Sequence, residues 1–192
     1  MIPSGLVVGY HGCDRRVAES VVLGRTKLRA SENEHDWLGH GLYFWQNDPT
    51  RALAWAEQRV RVRGSGISEP AVIGATIDLG HCFNAAQSEF VAMLSNAHRE
   101  MEAFCANSGR PMPRNTGRGW ANRRLDCAVF EMMHLLRRDT GKTPFDTVVA
   151  YFPEGRALYR GAAIRALDHV QICVRNEARI VGCFLPRRDE AG

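Results

Sequence analysis

Hydrophobic residues along the chain switch between two spacings, and the switches mark out its elements. The run Leu6-Val-Val-Gly-Tyr-His11 is apolar and ends at a glycine turn, which predicts a buried strand. Val17, Val21 and Val22 form a partial stripe at helical spacing and predict a short helix over 14–23. Residues 24–40 are polar and aperiodic, as a loop is. Gly41-Leu-Tyr-Phe-Trp45 predicts a compact aromatic strand, with Leu42 and Phe44 on one face and Tyr43 and Trp45 on the other. Asp48-Pro49 then supplies a helix start, an N-cap acid followed by proline at the first helical position. That helix runs to about Arg61, and Gly64-Ser-Gly66 breaks it.

A further strand is expected over 71–79, stopped by Gly80. Phe90, Met93, Leu94, Ala97, Met101 and Phe104 recur every three or four residues and predict a helix over 86–106. Residues 107–122 have no period, and a second helix at 125–138 carries Leu125, Val129, Met132, Met133 and Leu136 on one side. Strands at Thr147–Phe152, His169–Arg175 and Arg179–Leu185 close the chain. In the second of these, Val170, Ile172 and Val174 share a core face, so His169, Gln171 and Cys173 point the other way. This order lacks regular βαβ alternation, and no G-x-G-x-x-G follows a strand. Both features favour an α+β fold with a split antiparallel sheet over a doubly wound one. One domain over 1–192 is expected, with a helical and loop insertion at about 84–140.

Composition adds limits. The chain is 45% apolar and 24% charged, the ordinary balance of a globular protein. No stretch reaches the roughly 20 apolar residues of a membrane span, and the N-terminus lacks the basic and apolar regions of a secretory signal. A cytoplasmic protein is expected. The six cysteines, at 13, 82, 105, 127, 173 and 183, form no C-x-x-C pair and read as small buried hydrophobes. His35 and His40 have no carboxylate or cysteine at ligand spacing, so no metal is expected. A net charge of +4 is mild, but Arg110, Arg114, Arg118, Arg123 and Arg124 crowd one Gly/Pro/Asn-rich stretch around Trp120. That stretch is either a nucleic-acid contact, with Trp120 stacking on a base, or a solvated loop over a cleft.

Two motifs carry candidate chemistry. In Gly9-Tyr-His-Gly12 and Gly39-His-Gly-Leu-Tyr-Phe44, a polar side chain stands at a strand end among glycines that admit a planar ligand. Taken singly, each is also what any strand beside a turn looks like. Together, and followed by Pro49-Thr-Arg-Ala-Leu-Ala-Trp55, they resemble the ADP-ribosyltransferases of the diphtheria-toxin-like and poly(ADP-ribose) polymerase-like branch. The resemblance covers residues 9–57 and, more weakly, 147–185; the segment 84–140 has no counterpart.

The resemblance implies a split-sheet ADP-ribosyltransferase core with NAD as co-substrate. It gives His11 to the 2′-hydroxyl of the nicotinamide ribose, the Gly12 backbone to the carboxamide, and Tyr43 to the nicotinamide ring. Trp55 becomes a second aromatic wall, and Lys27 or Arg29 meets the pyrophosphate. The family's third triad member, a glutamate opening a late strand, falls on Gln171. The triad therefore reads His-Tyr-Gln, and an amide dipole stands where a carboxylate would stabilise an oxocarbenium-like ribose. Glu154, in the turn before that strand, is a candidate replacement as general base toward the acceptor; a solvated turn glutamate is the other reading. The expected function is mono-ADP-ribosyl transfer from NAD to a macromolecular acceptor, with nucleic acid preferred over protein and Arg118, Trp120, Arg123 and Arg124 as its contacts. A bacterial or phage-conflict toxin with an antitoxin partner fits that architecture. A catalytically dead NAD- or ADP-ribose-binding domain and an NAD glycohydrolase remain open.

Overall fold

A computed structural model of the chain describes residues 5–187; the ends of the expected domain, 1–4 and 188–192, lie outside the described residues. The element order is β1 (Leu6–Asp14), α1 (Arg15–Val22), β2 (Leu42–Gln46), α2 (Pro49–Val60), β3 (Pro70–Asp78), β4 (Cys82–Asn84), α3 (Ser88–Ser108), β5 (Asn115–Thr116), β6 (Asn122–Arg123), α4 (Arg124–Asp139), β7 (Thr147–Phe152), β8 (His169–Val174) and β9 (Ile180–Phe184). Seven strands form one sheet in the order β4-β7-β8-β2-β1-β3-β9. Its neighbours are antiparallel except β4 and β7, which run parallel from Cys82↔Thr147 to Asn84↔Val149. The fold is therefore α+β with a mostly antiparallel sheet.

The sheet is continuous, with a narrow joint at its middle. β1 pairs with β3 along its whole length, from Leu6↔Asp78 to Asp14↔Pro70, and β2 pairs with β8 from Leu42↔Val174 to Trp45↔Gln171. Between β1 and β2 the only registered pairs are Gly9↔Gln46 and Tyr10↔Trp45. Past Tyr10 the ladder stops, one residue short of His11.

Strand alternation divides the apolar residues between two cores. On one face α3 and α4 cover β4, β7 and β8, burying Phe83, Phe90, Met101, Phe130, Phe145 and Val148 together with Cys173. On the other, Leu42, Phe44, Ile73, Ile77, Ile172 and Val174 pack with Ala18 of α1 and Leu28. Phe44, Ile73, Ile77 and Ile172 are fully excluded from water, and each stabilises the fold by about 1.5–3 kcal/mol. The helix at 88–108 buries Phe90, Ala97, Met101 and Cys105. Phe104, assigned to that stripe from sequence, is 51% exposed instead, because its neighbour Cys105 faces the core.

Helix α2 starts as its sequence dictates. Asp48 accepts the Arg51 N–H at 2.8 Å and Pro49 follows as the first helical residue, an N-cap that stabilises by about 1 kcal/mol. The helix packs directly on β1. A Cβ on Gly12 would lie 2.3 Å from the Ala52 carbonyl oxygen, so only glycine permits this approach. Tyr10 pairs with Trp45, so Gly12, two residues on, shares the Trp45 face. Helix α2 covers one end of that face and α3 with α4 cover the other, leaving Trp45 and Gln171 between them. The stretch 107–122, expected as loop, holds a small ribbon, Asn115↔Arg123 and Thr116↔Asn122, closed by a 3-10 turn at Arg118–Trp120.

Candidate functional site

A cavity of about 440 Å³ occupies the uncovered strip beside the joint. It brings together His11, Arg29, Tyr43, Trp55, Glu154 and Gln171, all singled out from sequence, and adds Trp37, Trp45, Arg51, Arg59 and His169. Its size lies in the range of small-molecule and cofactor sites. A larger depression, about 920 Å³, lies against α4. Its carboxylates are already paired, Glu131 with Arg175, Asp146 with Arg179 and Glu177 with Lys27, which makes the smaller cavity the better candidate ligand site.

His11 stands where the β1–β2 ladder ends. Its Nδ1 is 2.8 Å from the Tyr43 carbonyl. A carbonyl oxygen can only accept, so Nδ1 carries the proton and Nε2 presents a lone pair. Burial holds the imidazole below its usual pKa, against a smaller opposing effect of the Tyr43 bond, and the ring is neutral near pH 7. Tyr43 is fixed at its other end as well. Its hydroxyl donates to the Gly39 carbonyl at 2.5 Å and accepts the Leu38 N–H at 2.8 Å. Burial, with the neighbouring Cys173 thiol, pushes the phenol far above its ordinary value. The ring, and not the hydroxyl, is therefore what Tyr43 offers a ligand.

The loop that anchors Tyr43 is itself clamped. Gly39 has φ +79°, and a Cβ there would meet the Glu131 carboxylate at 2.5 Å. Glu131 accepts the His40 N–H at 2.8 Å and pairs bidentately with Arg175 at 2.5 and 3.1 Å. Burial raises the Glu131 pKa, but these hydrogen bonds outweigh it and the net displacement is downward. Cys173, beneath Tyr43, is pushed up to about 12, chiefly by burial, and is inert as a nucleophile.

The opposite wall carries the cavity's unpaired polar groups. Ten buried side-chain nitrogen or oxygen atoms among the described residues have no hydrogen-bond partner, and five belong here: Trp45 Nε1, Arg51 Nε and Nη1, His169 Nε2 and Gln171 Oε1. Buried polar atoms are costly unless matched, and their concentration here makes this cavity the candidate site for a polar ligand. Glu154 is half-buried and bound to this wall. Its Oε2 lies 2.7 Å from Arg51 Nη2 and 3.6 Å from His169 Nδ1. The Glu154 N–H donates to Asp168 at 3.0 Å, which pins the turn. Trp45 and Trp55 lie with ring centroids 5.8 Å apart and form an aromatic corner.

Other residues named from sequence stand elsewhere. Lys27 is exposed and 3.8 Å from Glu177, away from the cavity lining. Gly12 does not line it either, because α2 occupies the close approach that its missing side chain allows. Arg123 is no free phosphate reader: its guanidinium stacks 4.1 Å from the Trp37 ring and 4.6 Å from Phe152, and it pairs with Asp126 at 3.3 Å. Arg124 is engaged by Glu34. Trp120 is 62% exposed outside the lining, and the side chain of Arg118 lies outside the described residues. Alternation puts Trp45 with Tyr43 and His169 with Gln171 but gives them no role, and Arg51 was not singled out from sequence. Arg51 looks like any surface position of an amphipathic helix, and its partner Glu154 is 103 residues away.

Among the described residues no cluster of three or more His, Cys, Asp or Glu side chains is arranged to hold a metal ion. No helix there is long and apolar enough to cross a membrane. No protein-family model matches the chain. A segment of 68 residues is 29% identical to an uncharacterized protein of Methanocaldococcus jannaschii, covering 35% of this chain and 31% of that protein. The match thus spans less than a third of the archaeal protein's length, and its name assigns no activity.

Proposed function

We propose that this chain is a mono-ADP-ribosyltransferase with an ADP-ribosyltransferase-type core, which takes NAD into the cavity and transfers ADP-ribose to a macromolecular acceptor. The observation that carries this reading is the convergence of His11, Tyr43 and Gln171, far apart in sequence, on one cavity rich in unpaired buried polar atoms. His11 Nε2 accepts from a ribose hydroxyl, the Tyr43 ring lies against the nicotinamide, and Trp45 with Trp55 closes the aromatic side. Gln171 orients ribose through its amide. Arg29 and Arg59, at the cavity wall, supply positive charge for the pyrophosphate.

The acceptor side is read from the connection between β7 and β8. Ala157 bridges Arg165, and the Leu158 N–H donates to the Ile164 carbonyl at 3.0 Å, so 156–165 forms a hairpin-like tip. From Gly155 to Leu167 it carries Arg156, Arg160 and Arg165 and no carboxylate; Tyr159 is 62% exposed. A cationic tip with an open aromatic suits the phosphates and bases of a nucleic acid. It joins the Arg118–Arg124 stretch as a candidate contact, since Arg123 and Arg124 of that stretch are already paired within the fold.

The test is incubation with NAD labelled on the ADP-ribose moiety in a lysate, followed by parallel nuclease and protease digestion. Nuclease-sensitive label is expected. The double variant Arg156→Ala/Arg160→Ala should lower that labelling, with the logarithmic salt slope falling by about one per arginine. Release of no nicotinamide, with NAD binding verified by calorimetry, would count against transfer. It would favour the second reading, a binding domain without turnover, for which the neutral amide of Gln171 is the observation. Free ADP-ribose without labelled polymer marks a hydrolase instead.

A further inference from the structure

His169 lies on β8 two residues before Gln171, in the same cavity wall, enclosed by Trp37, Trp45 and Phe152 with ring centroids 6.1, 6.3 and 5.8 Å away. Its Nδ1 is 2.9 Å from the Leu167 carbonyl. That carbonyl can only accept, so Nδ1 holds the ring proton and Nε2 is a bare lone pair. Nε2 is buried and has no hydrogen-bond partner. Glu154 Oε2 stands 3.6 Å from the Nδ1 edge and is itself held at 2.7 Å by Arg51 Nη2. A base oriented through one nitrogen, backed by a carboxylate and left without a partner at the other nitrogen in a cavity wall, is the arrangement that proton abstraction needs.

We infer that His169 Nε2 is the general base that deprotonates the acceptor, with Glu154 and Arg51 as its positioning residues. The inference rests on the transferase reading and shifts the base role from Glu154, whose near oxygen Arg51 already occupies. In the step, the acceptor's O–H or N–H bond breaks and its proton passes to Nε2. The freed electron pair forms the bond to ribose C1′. The C1′–N1 glycosidic bond breaks, and its pair stays on the ring nitrogen, so neutral nicotinamide departs. His169 ends as an imidazolium facing the Glu154 carboxylate.

The charged groups around His169 set its titration. Glu154 comes from the β7–β8 connection, Asp48 and Arg51 from the start of α2, and Arg123 stands behind Trp37 and Phe152. Burial lowers its pKa most, the Leu167 bond and Glu154 raise it, Arg51 lowers it and Asp48 raises it; the net displacement is downward. Nε2 is therefore unprotonated at neutral pH, and activity should fall on the acid side as His169 takes a proton.

Three measurements separate the outcomes. Nitrogen-15 spectra of the wild-type imidazoles should show His169 as the neutral Nδ1–H tautomer; an Nε2–H tautomer overturns the inference whatever the turnover. His169→Asn keeps a donor for the Leu167 carbonyl and removes the basic nitrogen. It should lower kcat by about 10²–10⁴-fold while NAD affinity by calorimetry stays within about threefold. In Glu154→Gln the acid limb of the pH profile should move to lower pH, because the charge that raises the His169 pKa is gone. A His169→Asn enzyme with wild-type kcat, or an acid limb unmoved in Glu154→Gln, overturns this inference alone. A wild type that binds NAD without turning it over removes the transferase reading, and the inference with it.

Discussion

Replacing His11 by alanine is expected to lower NAD turnover by at least about a hundredfold, the scale on which displaced reacting groups lose rate. The imidazole does two things at once. Its Nδ1–H bonds the Tyr43 carbonyl across the place where β1 and β2 stop pairing, and its Nε2 is left for the ligand. The alanine variant loses the ligand contact and also the tie that sets the spacing of the two strands. It vacates space beside Phe44 as well, whose ring centroid lies 5.8 Å away, at a stability cost of about 1–3 kcal/mol. Thermal melts with turnover assays well below the midpoint separate the two effects. A folded His11→Ala protein within a few-fold of wild-type turnover would end the assignment of His11.

The largest loss of stability is expected at Asp14. Its side chain accepts from the N–H groups of Arg16, Ser68 and Glu69 at 3.0, 2.8 and 3.1 Å, and from the Ser68 hydroxyl at 3.0 Å. One carboxylate thus caps α1 and ties the end of β1 to the segment entering β3. Asp14→Ala removes the cap, about 1 kcal/mol, and strands part-buried amides, for a total of about 3 kcal/mol. That corresponds to a fall in Tm of about 6–12 °C for a domain of this size. The backbone N–H groups of Ser68 and Glu69, foremost, hold the carboxyl far below its ordinary 3.8. The folded state therefore binds fewer protons than the unfolded one. The stabilisation is fully present above the unfolded value and is lost as pH falls toward the folded one. Urea melts at about pH 7 and about pH 3 should show the gap between wild type and variant narrowing at the lower pH. A constant gap would mean that Asp14 acts through shape and not through charge.

Most strands and the principal helices were legible in the sequence because their signals are local. Leu42, Phe44, Ile172 and Val174 alternate, and alternation alone puts Tyr43 and Gln171 on the cavity side. Strand β4 was not legible, since Cys82-Phe83-Asn84 is too short to show a period and pairs parallel with a strand 65 residues on. The arginine cluster was only partly legible for a related reason. Composition reports that Arg123 and Arg124 are charged and close together, but not that Trp37, Phe152, Asp126 and Glu34 already hold them. Arg51 and His169 were given no role because their meaning lies in partners brought close only by the fold. The same holds for Glu154: its sequence shows a turn glutamate, and only the fold shows Arg51 and His169 beside it.

Strand β8 follows β2 only after several further helices and strands, yet it lies inside the sheet, with β7 on one side and β2 on the other. A chain in the course of synthesis can carry His11 and Tyr43 long before it has Gln171, His169 or the Cys173 thiol that packs under Tyr43. Until β8 is inserted, β2 has an open edge and the cavity lacks a wall. The proposed ligand site is therefore complete only once β8 has been made and inserted, and a fragment ending before His169 is expected to hold no ligand at all.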